Sequence, residues 1–160
     1  MGMLFRSAAT GTMEVKPLPL VLIRLIVGCV FLSEGIQKFL FSETLGVGRF
    51  IKIGIPSPEV MAPFVGIVEI VCGLLVLAGL VTRLAAIPLI IDMLVAISTT
   101  KIPMLMERGF WAMAHEARTD WSMLLGSVFL LLVGPGRWSL DYIIASREKR
   151  EREHIDKSNV

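Results

Sequence analysis

Five ionisable residues interrupt the long apolar stretches of this sequence, and they are the side chains best placed to do chemistry. They are Arg24, Glu34, Lys38, Glu69 and Asp92. A charge at the centre of a lipid bilayer costs roughly 2.5–3.5 kcal/mol on insertion scales, so such groups usually face a partner or a cavity. We therefore expect the five to form one charged seam inside a bundle otherwise filled by Leu, Ile and Val.

The spacing of these residues suggests how they pair. Arg24, Glu34 and Lys38 fall within an arc of ~80° on one helix, and Glu34 and Lys38 are four residues apart, the spacing of an intrahelical ion pair. Lys38 can also reach Glu69 on the next helix. Arg24 lies nearer the other end, where Asp92 is its nearest counter-charge. The sequence thus predicts an Arg24–Asp92 pair and a group formed by Lys38, Glu34 and Glu69.

Two interpretations of the seam remain open. In the first, its members are structural ion pairs that fix the order and register of the helices. In the second, which we favour, the seam lines a cavity for a quinone, a proton or another polar ligand. The seam holds three acids against two bases, so one carboxyl group must be protonated or must await a cation.

A second polar cluster precedes the last apolar stretch. It consists of His115, Glu116, Arg118 and Asp120. One interpretation is ordinary loop polarity. The other is a gate or an acid–base pair above the seam, since histidine as a residue type changes charge near neutral pH.

Four apolar stretches are available to position these groups, each near the ~20 residues needed to cross ~30 Å of hydrocarbon. They cover residues 18–41, 60–81, 84–100 and 121–133. The chain has 160 residues and is 54% hydrophobic, more than a soluble domain of this size can bury. The shortest stretch, 121–133, is expected to extend towards the N-terminus and to include residues Arg118 to Asp120.

The connections predict how the helices are arranged. Only Thr82 and Arg83 separate the second and third stretches, so these form an antiparallel hairpin, whereas residues 42–57 and 101–120 are read as longer loops. Small residues recur in the first two stretches and predict close helix contact in lipid. They are Gly28, Gly35, Gly66, Gly73 and Gly79.

Basic residues predict the orientation. Most lie on the side that carries both termini, which the positive-inside rule places in the cytoplasm. The predicted fold is therefore all-α: an integral membrane four-helix bundle, antiparallel and up-down, with cytoplasmic N and C termini. It divides into a cytoplasmic N-terminal segment (1–17), a transmembrane domain (18–142) and a charged cytoplasmic tail (143–160). No cleavable signal peptide is evident.

Several kinds of function find no support in the sequence. The net charge is only +2, and no phosphate-binding loop or zinc spacing is present, so neither nucleic acid nor a metal is expected. No histidine falls within an apolar stretch to bind haem. Cys29 and Cys72 are interpreted as small buried hydrophobes, and a disulfide would require them to lie at the same depth.

An ordered set of short motifs runs through about residues 18–142. In chain order the motifs are Arg24-x-x-x-Gly28-x-x-Phe31-x-x-x-Gly35-x-x-Lys38, Phe50, Gly54-Ile55-Pro56-Ser57-Pro58, Glu69-x-x-x-Gly73, Leu77-x-Gly79, Thr82-Arg83-x-Ala85-Ala86, Met93-x-x-Ala96 and Gly134-Pro135-Gly136-Arg137-x-Ser139-Leu140-Asp141. With these motifs the sequence resembles the DoxX family of small four-helix bacterial membrane proteins.

The resemblance implies a quinone or redox setting. The namesake of the family is a subunit of a terminal quinol oxidase complex that also acts as a thiosulfate:quinone oxidoreductase. Other members look like quinone-stress proteins or membrane anchors for oxidative-stress partners. The positions that match the family motifs are Arg24, Gly35, Lys38, Glu69 and Asp141.

We therefore expect a multi-pass protein of the bacterial inner membrane that is associated with quinone or redox chemistry or with an oxidative-stress response. A quinone is the candidate ligand, and a membrane or soluble redox protein is the candidate partner. No covalently bound cofactor is expected, and the chain is compatible with a homo-oligomer. If it is enzymatic, it is a subunit of a quinone-linked oxidoreductase and not a self-contained enzyme. The alternative is a non-enzymatic membrane anchor, assembly factor or transporter-like scaffold whose intramembrane charges are structural.

Overall fold

The computed structural model describes residues 17–147, and within this range the chain is helical and contains no strand. The helices are α1 (Pro17–Leu40), α2 (Val47–Lys52), α3 (Pro58–Ala78), α4 (Thr82–Ala96), α5 (Ile102–Arg108) and α6 (Phe110–Val133), with π-helical turns at Ile97–Lys101. Residues 140–147 are again helical. The all-α prediction is thus confirmed for this range, and most of the predicted terminal segments lies outside the described residues.

Within residues 17–147, three helices are long and apolar enough to cross a membrane: Leu18–Leu40, Pro58–Ala78 and Thr82–Arg108. They correspond to the first three predicted stretches, which supports a membrane protein. Helix α6 has 24 residues and is long enough to cross a membrane. Its first half carries the charged cluster, however, so it is not apolar enough to count as a membrane span. The fourth crossing and the cytoplasmic position of both termini therefore stay predictions.

The prediction of a loop over residues 101–120 is wrong. Helix α4 continues through the π-helical turns into α5, and α6 begins immediately after Gly109, whose φ of +81° lets the chain reverse. The hydroxyls of Ser98 and Thr100 donate to the carbonyls of Val95 and Ala96 at 2.9 and 2.6 Å. These polar residues thus bond to the preceding turn instead of ending the helix.

Helices α1 and α3 pack closely and antiparallel through paired glycines. A Cβ on Gly28 would lie 2.9 Å from the carbonyl oxygen of Gly73, and a Cβ on Gly35 would lie 2.7 Å from that of Gly66. The predicted close approach is therefore present at these four positions. Gly79 serves differently: it ends α3 with a φ of +68°, in the left-handed region that glycine favours.

Replacing Gly35 by leucine should force α1 and α3 apart. The new side chain would meet the backbone of Gly66 and the side chain of Ile70, and overpacking of this kind typically costs about 1–3 kcal/mol. We expect a clear loss of thermal stability in detergent, measured by fluorescence-detected size exclusion after heating. Cys29→Leu on the exposed side of the same helix is the control, and an equal loss in both variants would contradict the packing argument.

The second pair of helices is α4 and α6, which also run antiparallel. Arg83 at the start of α4 donates to the carbonyls of Leu132 and Val133 at the end of α6. Lys101 at the end of the π-helical turns forms an ion pair with Asp120 in the first half of α6. The core between the two helix pairs consists largely of apolar side chains, including Val27, Phe31, Val76, Leu89 and Leu130.

Candidate functional site

A cavity of about 330 Å³ lies between the two helix pairs, where α1 ends and α3 begins. We call this region the cavity end of the molecule. The connection between α1 and α3 covers it, because Phe50 of α2 points inward and is only 7% exposed. The apolar run from Phe50 to Pro56 predicts that this connection lies on the membrane interface, but Phe50 covers the cavity instead. The apolar wall includes Val30, Phe31, Val65, Met93 and Met123.

Lys38, Glu69 and Asp92 form the polar group of the cavity. Lys38 Nζ lies 2.5 Å from Glu69 Oε2, and the two side chains are 13% and 2% exposed. The Asp92 carboxyl lies against that of Glu69, close enough for a hydrogen bond when one of the two holds a proton. These residues come from α1, α3 and α4, so the group joins three helices.

Glu34 also lines the cavity, yet its side chain is exposed. Among the described residues it forms no ion pair with Lys38, so the predicted intrahelical pair is absent. Lys38 instead reaches across to α3. Glu34 is left one helical turn away from Lys38 at the cavity wall, with its carboxylate available to a ligand or to water.

Arg24 lies outside the cavity, and the predicted Arg24–Asp92 pair is wrong. Its guanidinium donates to the carbonyls of Val76 and Leu77 at the end of α3, at 3.0 and 2.6 Å. It also donates to the carbonyls of Pro135 and Trp138 in the segment after α6, at 3.3 and 2.6 Å. A planar fork of five N–H donors suits several carbonyls, and carbonyls at a helix C-terminus attract a cation.

The family motifs that include Gly79, Thr82 and Asp141 meet at this same end, which we call the Arg24 end. The Asp141 carboxylate accepts from the backbone N–H groups of Val81 and Thr82 at 2.8 and 3.3 Å, and its own N–H donates to Gly79. A carboxylate at these first N–H groups caps α4. The motifs at this end therefore hold the turns together rather than line the cavity.

The second predicted cluster is divided between two faces of α6. Glu116 and Asp120, one turn apart, line the cavity, and Asp120 Oδ2 lies 3.0 Å from Lys101 Nζ. His115 and Arg118 are exposed, contact each other at 3.4 Å and do not line it. Of the four predicted residues, Glu116 and Asp120 thus lie in the same cavity as Lys38 and Glu69. Among the described residues His115 pairs with neither of these acids.

Two basic residues of the cavity were missed in the sequence. Lys101 falls in the predicted loop over residues 101–120, although its side chain is only 9% exposed and lines the cavity. Arg49, which also lines the cavity, belongs to a connection expected to lie on the interface. The helical spacing of Arg49 and Phe50 with Ile53 was the available signal for a short amphipathic helix.

The cavity wall carries more acid than base. Its acids are Glu34, Glu69, Asp92, Glu116 and Asp120, and its bases are Lys38, Arg49 and Lys101. Donors and acceptors set into an apolar wall can orient a ligand that has an aromatic ring and polar edges. Within residues 17–147 no three His, Cys, Asp or Glu side chains are grouped to hold a metal. Cys29 is exposed and Cys72 buried, and both are free.

The comparisons with known proteins agree with the motifs. A curated protein of Mycobacterium tuberculosis (strain ATCC 25618 / H37Rv), "Uncharacterized membrane protein Rv3486", is 58% identical over 137 residues, which cover 82% of this chain and 84% of the relative. "Putative oxidoreductase CatD" of Bacillus subtilis (strain 168) is 31% identical over 128 residues, or 80% of this chain and 88% of the relative. No solved structure matches. The DoxX family profile matches residues 20–102, and the chain therefore belongs to the DoxX family.

Proposed function

We propose that this protein binds the head group of a membrane quinone in the cavity beside Lys38, Glu69 and Asp92, and that it serves a redox partner in the membrane. The observation that carries the proposal is the cavity itself, which sets a buried Lys38–Glu69 pair and a second carboxyl group into a wall that is half apolar and half polar in its lining residues. This combination suits an oxygenated aromatic ring. Charged groups inside a membrane cost free energy, and a helix bundle that only needs to pack does not require them.

The size of the cavity fits a head group and excludes a whole quinone. Ligand pockets typically measure about 300–1,000 Å³, and this one, at about 330 Å³, is at the lower limit. A long isoprenoid tail would have to remain among the lipid chains. The exposed apolar side chains of α1 and α4 near this end, such as Phe39 and Val95, provide a surface for it.

The same proposal assigns a topology. Helix α6 would provide a fourth crossing, with its charged first half protected by the cavity and by Lys101. Both termini would lie in the cytoplasm, as the basic residues indicate, so the cavity end would face the outer side of a bacterial inner membrane. A quinone head group would then enter from the outer leaflet.

A partner is part of the proposal, because a quinone accepts electrons only from a donor. One relative carries the name of an oxidoreductase, which supports a redox association of this family only loosely. The partner would be a membrane or soluble oxidoreductase.

Purified protein in lipid nanodiscs should retain a quinone through washing, detected by liquid chromatography and mass spectrometry of the extracted lipid. Asp92→Asn keeps the shape of the side chain but removes its charge, and we expect it to lower the bound quinone about tenfold, as for the loss of a hydrogen bond to a charged group. Glu59→Gln, an exposed acid at the start of α3, is the matched control. Quinone at the level of empty nanodiscs would contradict the proposal.

A second candidate function has its own support. The Lys38–Glu69 pair connects α1 to α3, and Arg24 is fully engaged with backbone carbonyls, so the charges also stabilise the fold. In a membrane anchor, assembly factor or transporter-like scaffold, the charged residues would need only to stabilise the fold in this way. Absence of quinone together with a stable co-purifying protein partner would favour this second function.

A further inference from the structure

We infer that Lys101 and Asp120 form a second polar contact for the ligand, so that the cavity selects a ring with oxygens on two opposite edges, such as a 1,4-quinone or its quinol. This inference rests on the proposed function and adds the class of ligand and a specificity-determining pair to it.

The first support is the position of two lysine–carboxylate pairs in one cavity. Lys38 and Glu69 lie on α1 and α3, whereas Lys101 and Asp120 lie at the end of the π-helical turns and on α6. All four line the same cavity. The two pairs therefore belong to different helix pairs, and a ligand between them can contact both.

The second support is their separation along the helix axis. Asp92, which lies against Glu69, and Lys101 are on one continuous helical segment. They are nine positions apart in the sequence, which corresponds to at most ~13 Å along the axis at the α-helical rise of 1.5 Å per residue. This distance leaves room for a single aromatic ring with a hydrogen bond of ~2.8 Å at each end. One contact would be deep in the cavity and the other near its mouth.

The third support is the chemistry of each pair. A lysine ammonium donates hydrogen bonds and accepts none, and a carboxylate accepts them. A pair of this kind can therefore donate to a quinone carbonyl or accept from a quinol hydroxyl without moving. Two such pairs match a ring that carries two carbonyls in one oxidation state and two hydroxyls in the other.

The π-helical turns explain how Lys101 reaches the cavity. A π-helical turn holds more residues than an α-helical turn, and such turns are frequent at functional sites. Here the turns cover Ile97–Lys101, and they bring Lys101, with a side chain 9% exposed, to Asp120. Thr99 and Thr100 of the same turns also line the cavity, so the distorted segment forms part of its wall.

The test compares a ligand with two carbonyls and a ligand with one. Menadione, a 1,4-naphthoquinone, and 1-tetralone, which keeps a single ring carbonyl, are titrated by isothermal calorimetry into protein in nanodiscs. The protein should bind menadione at least tenfold more tightly than 1-tetralone. In Lys101→Met the affinity for menadione should fall about tenfold, as for one lost hydrogen bond to a charged group, while that for 1-tetralone stays nearly constant.

Three further variants keep the test decisive. The double variant Lys101→Met with Asp120→Leu removes both charges, so no buried charge is left unpaired, and it should show the same loss if Lys101→Met alone fails to fold. Lys101→Arg should retain the preference for menadione. Lys52→Met, an exposed lysine on α2, is the control.

The outcomes separate the inference from the proposed function. Tight binding of menadione that is unchanged in the Lys101 variants, or an equal loss for both ligands, would overturn the two-ended contact and leave quinone binding in place. Binding of neither ligand by the unaltered protein would overturn both.

Discussion

Replacing Arg24 by methionine should leave little folded protein in the membrane. The side chain is 5% exposed and donates to four backbone carbonyls, those of Val76, Leu77, Pro135 and Trp138. Methionine fills a similar volume but donates no hydrogen bond. Three of the carbonyls would then lose their partner where water is scarce, while that of Val76 keeps the N–H of Gly79. Each buried polar group left without a partner costs about 1–3 kcal/mol. Three such groups amount to at least about 3 kcal/mol, which is a large fraction of the stability of a small domain.

The measurement is the amount of monodisperse protein in membranes and its melting temperature in detergent. Arg24→Lys should recover only part of the loss, since an ammonium is a point charge and cannot span the carbonyls of two segments. Arg108→Met, an exposed arginine at the end of α5, is the control and should leave the melting temperature nearly unchanged. Quinone content per folded protein should be unaltered in Arg24→Lys, because Arg24 is outside the cavity.

The helices themselves could be predicted well, because the apolar stretches and their breakers are local signals. Ser57-Pro58-Glu59 marked the start of α3 to the residue. Ser57 is of a residue type that commonly caps a helix, but here it adopts a φ of +50° and makes no capping hydrogen bond. Composition could not show that residues 101–120 are helical. Just before them, Thr100 donates to the carbonyl of Ala96 in the preceding turn. Within them, Lys101 forms an ion pair with Asp120, which is a tertiary contact.

The partners of the charged residues were harder to predict than the helix faces on which these residues lie. Helical periodicity placed Arg24, Glu34 and Lys38 on one side of α1, but a shared face does not give a shared partner. The prediction of an Arg24–Asp92 pair rests on charged side chains alone. Arg24 instead donates to backbone carbonyls at the end of a helix. Every residue has such a carbonyl, so the amino-acid sequence gives no sign of which ones will bind an arginine.

The single predicted seam is in fact two separate structures at opposite ends of α1. At the Arg24 end, the turns are fixed by an arginine, by the Asp141 cap and by glycines with positive φ. At the cavity end, Lys38, Glu69 and Asp92 lie beside open space. Removing Arg24 from the seam also changes its charge balance: three acids, Glu34, Glu69 and Asp92, now have Lys38 as the one base that belongs to the predicted seam. Among the described residues Lys38 is the base paired with the buried Glu69, so the group of Lys38, Glu69 and Asp92 depends on it most.

Replacing Lys38 by methionine should therefore destabilise the protein strongly near neutral pH, and acid should partly restore it. Glu69 is 2% exposed and pairs with Lys38 at 2.5 Å, and Asp92 lies beside it. Without the ammonium, two carboxyl groups share a low-dielectric site with no counter-charge. Removing one partner of a buried ion pair typically costs about 3–5 kcal/mol. A carboxyl group loses its charge when it binds a proton, so the deficit should shrink as the pH falls.

Melting temperatures of the Lys38→Met protein between pH 5 and pH 8 would show this. The double variant Lys38→Met with Glu69→Gln carries no unpaired charge at the pair, and we expect it to be more stable than the single variant at the upper end of this range. The gap between the two should close towards the lower end. Equal stability of the single and double variants at every pH would contradict the assignment of Lys38 as the counter-charge of Glu69.

The exchanged pair, Lys38→Glu with Glu69→Lys, then separates a structural pair from a binding site. It restores opposite charges between α1 and α3, so folding should recover. Quinone retention should not recover, because the ammonium would move to α3, against Asp92, and the carboxylate would move to α1, one turn from Glu34. The ligand would meet acceptors where it needs a donor. Recovery of both folding and quinone binding would mean that Lys38 and Glu69 are a simple ion pair, and that the ligand is oriented by other residues of the cavity.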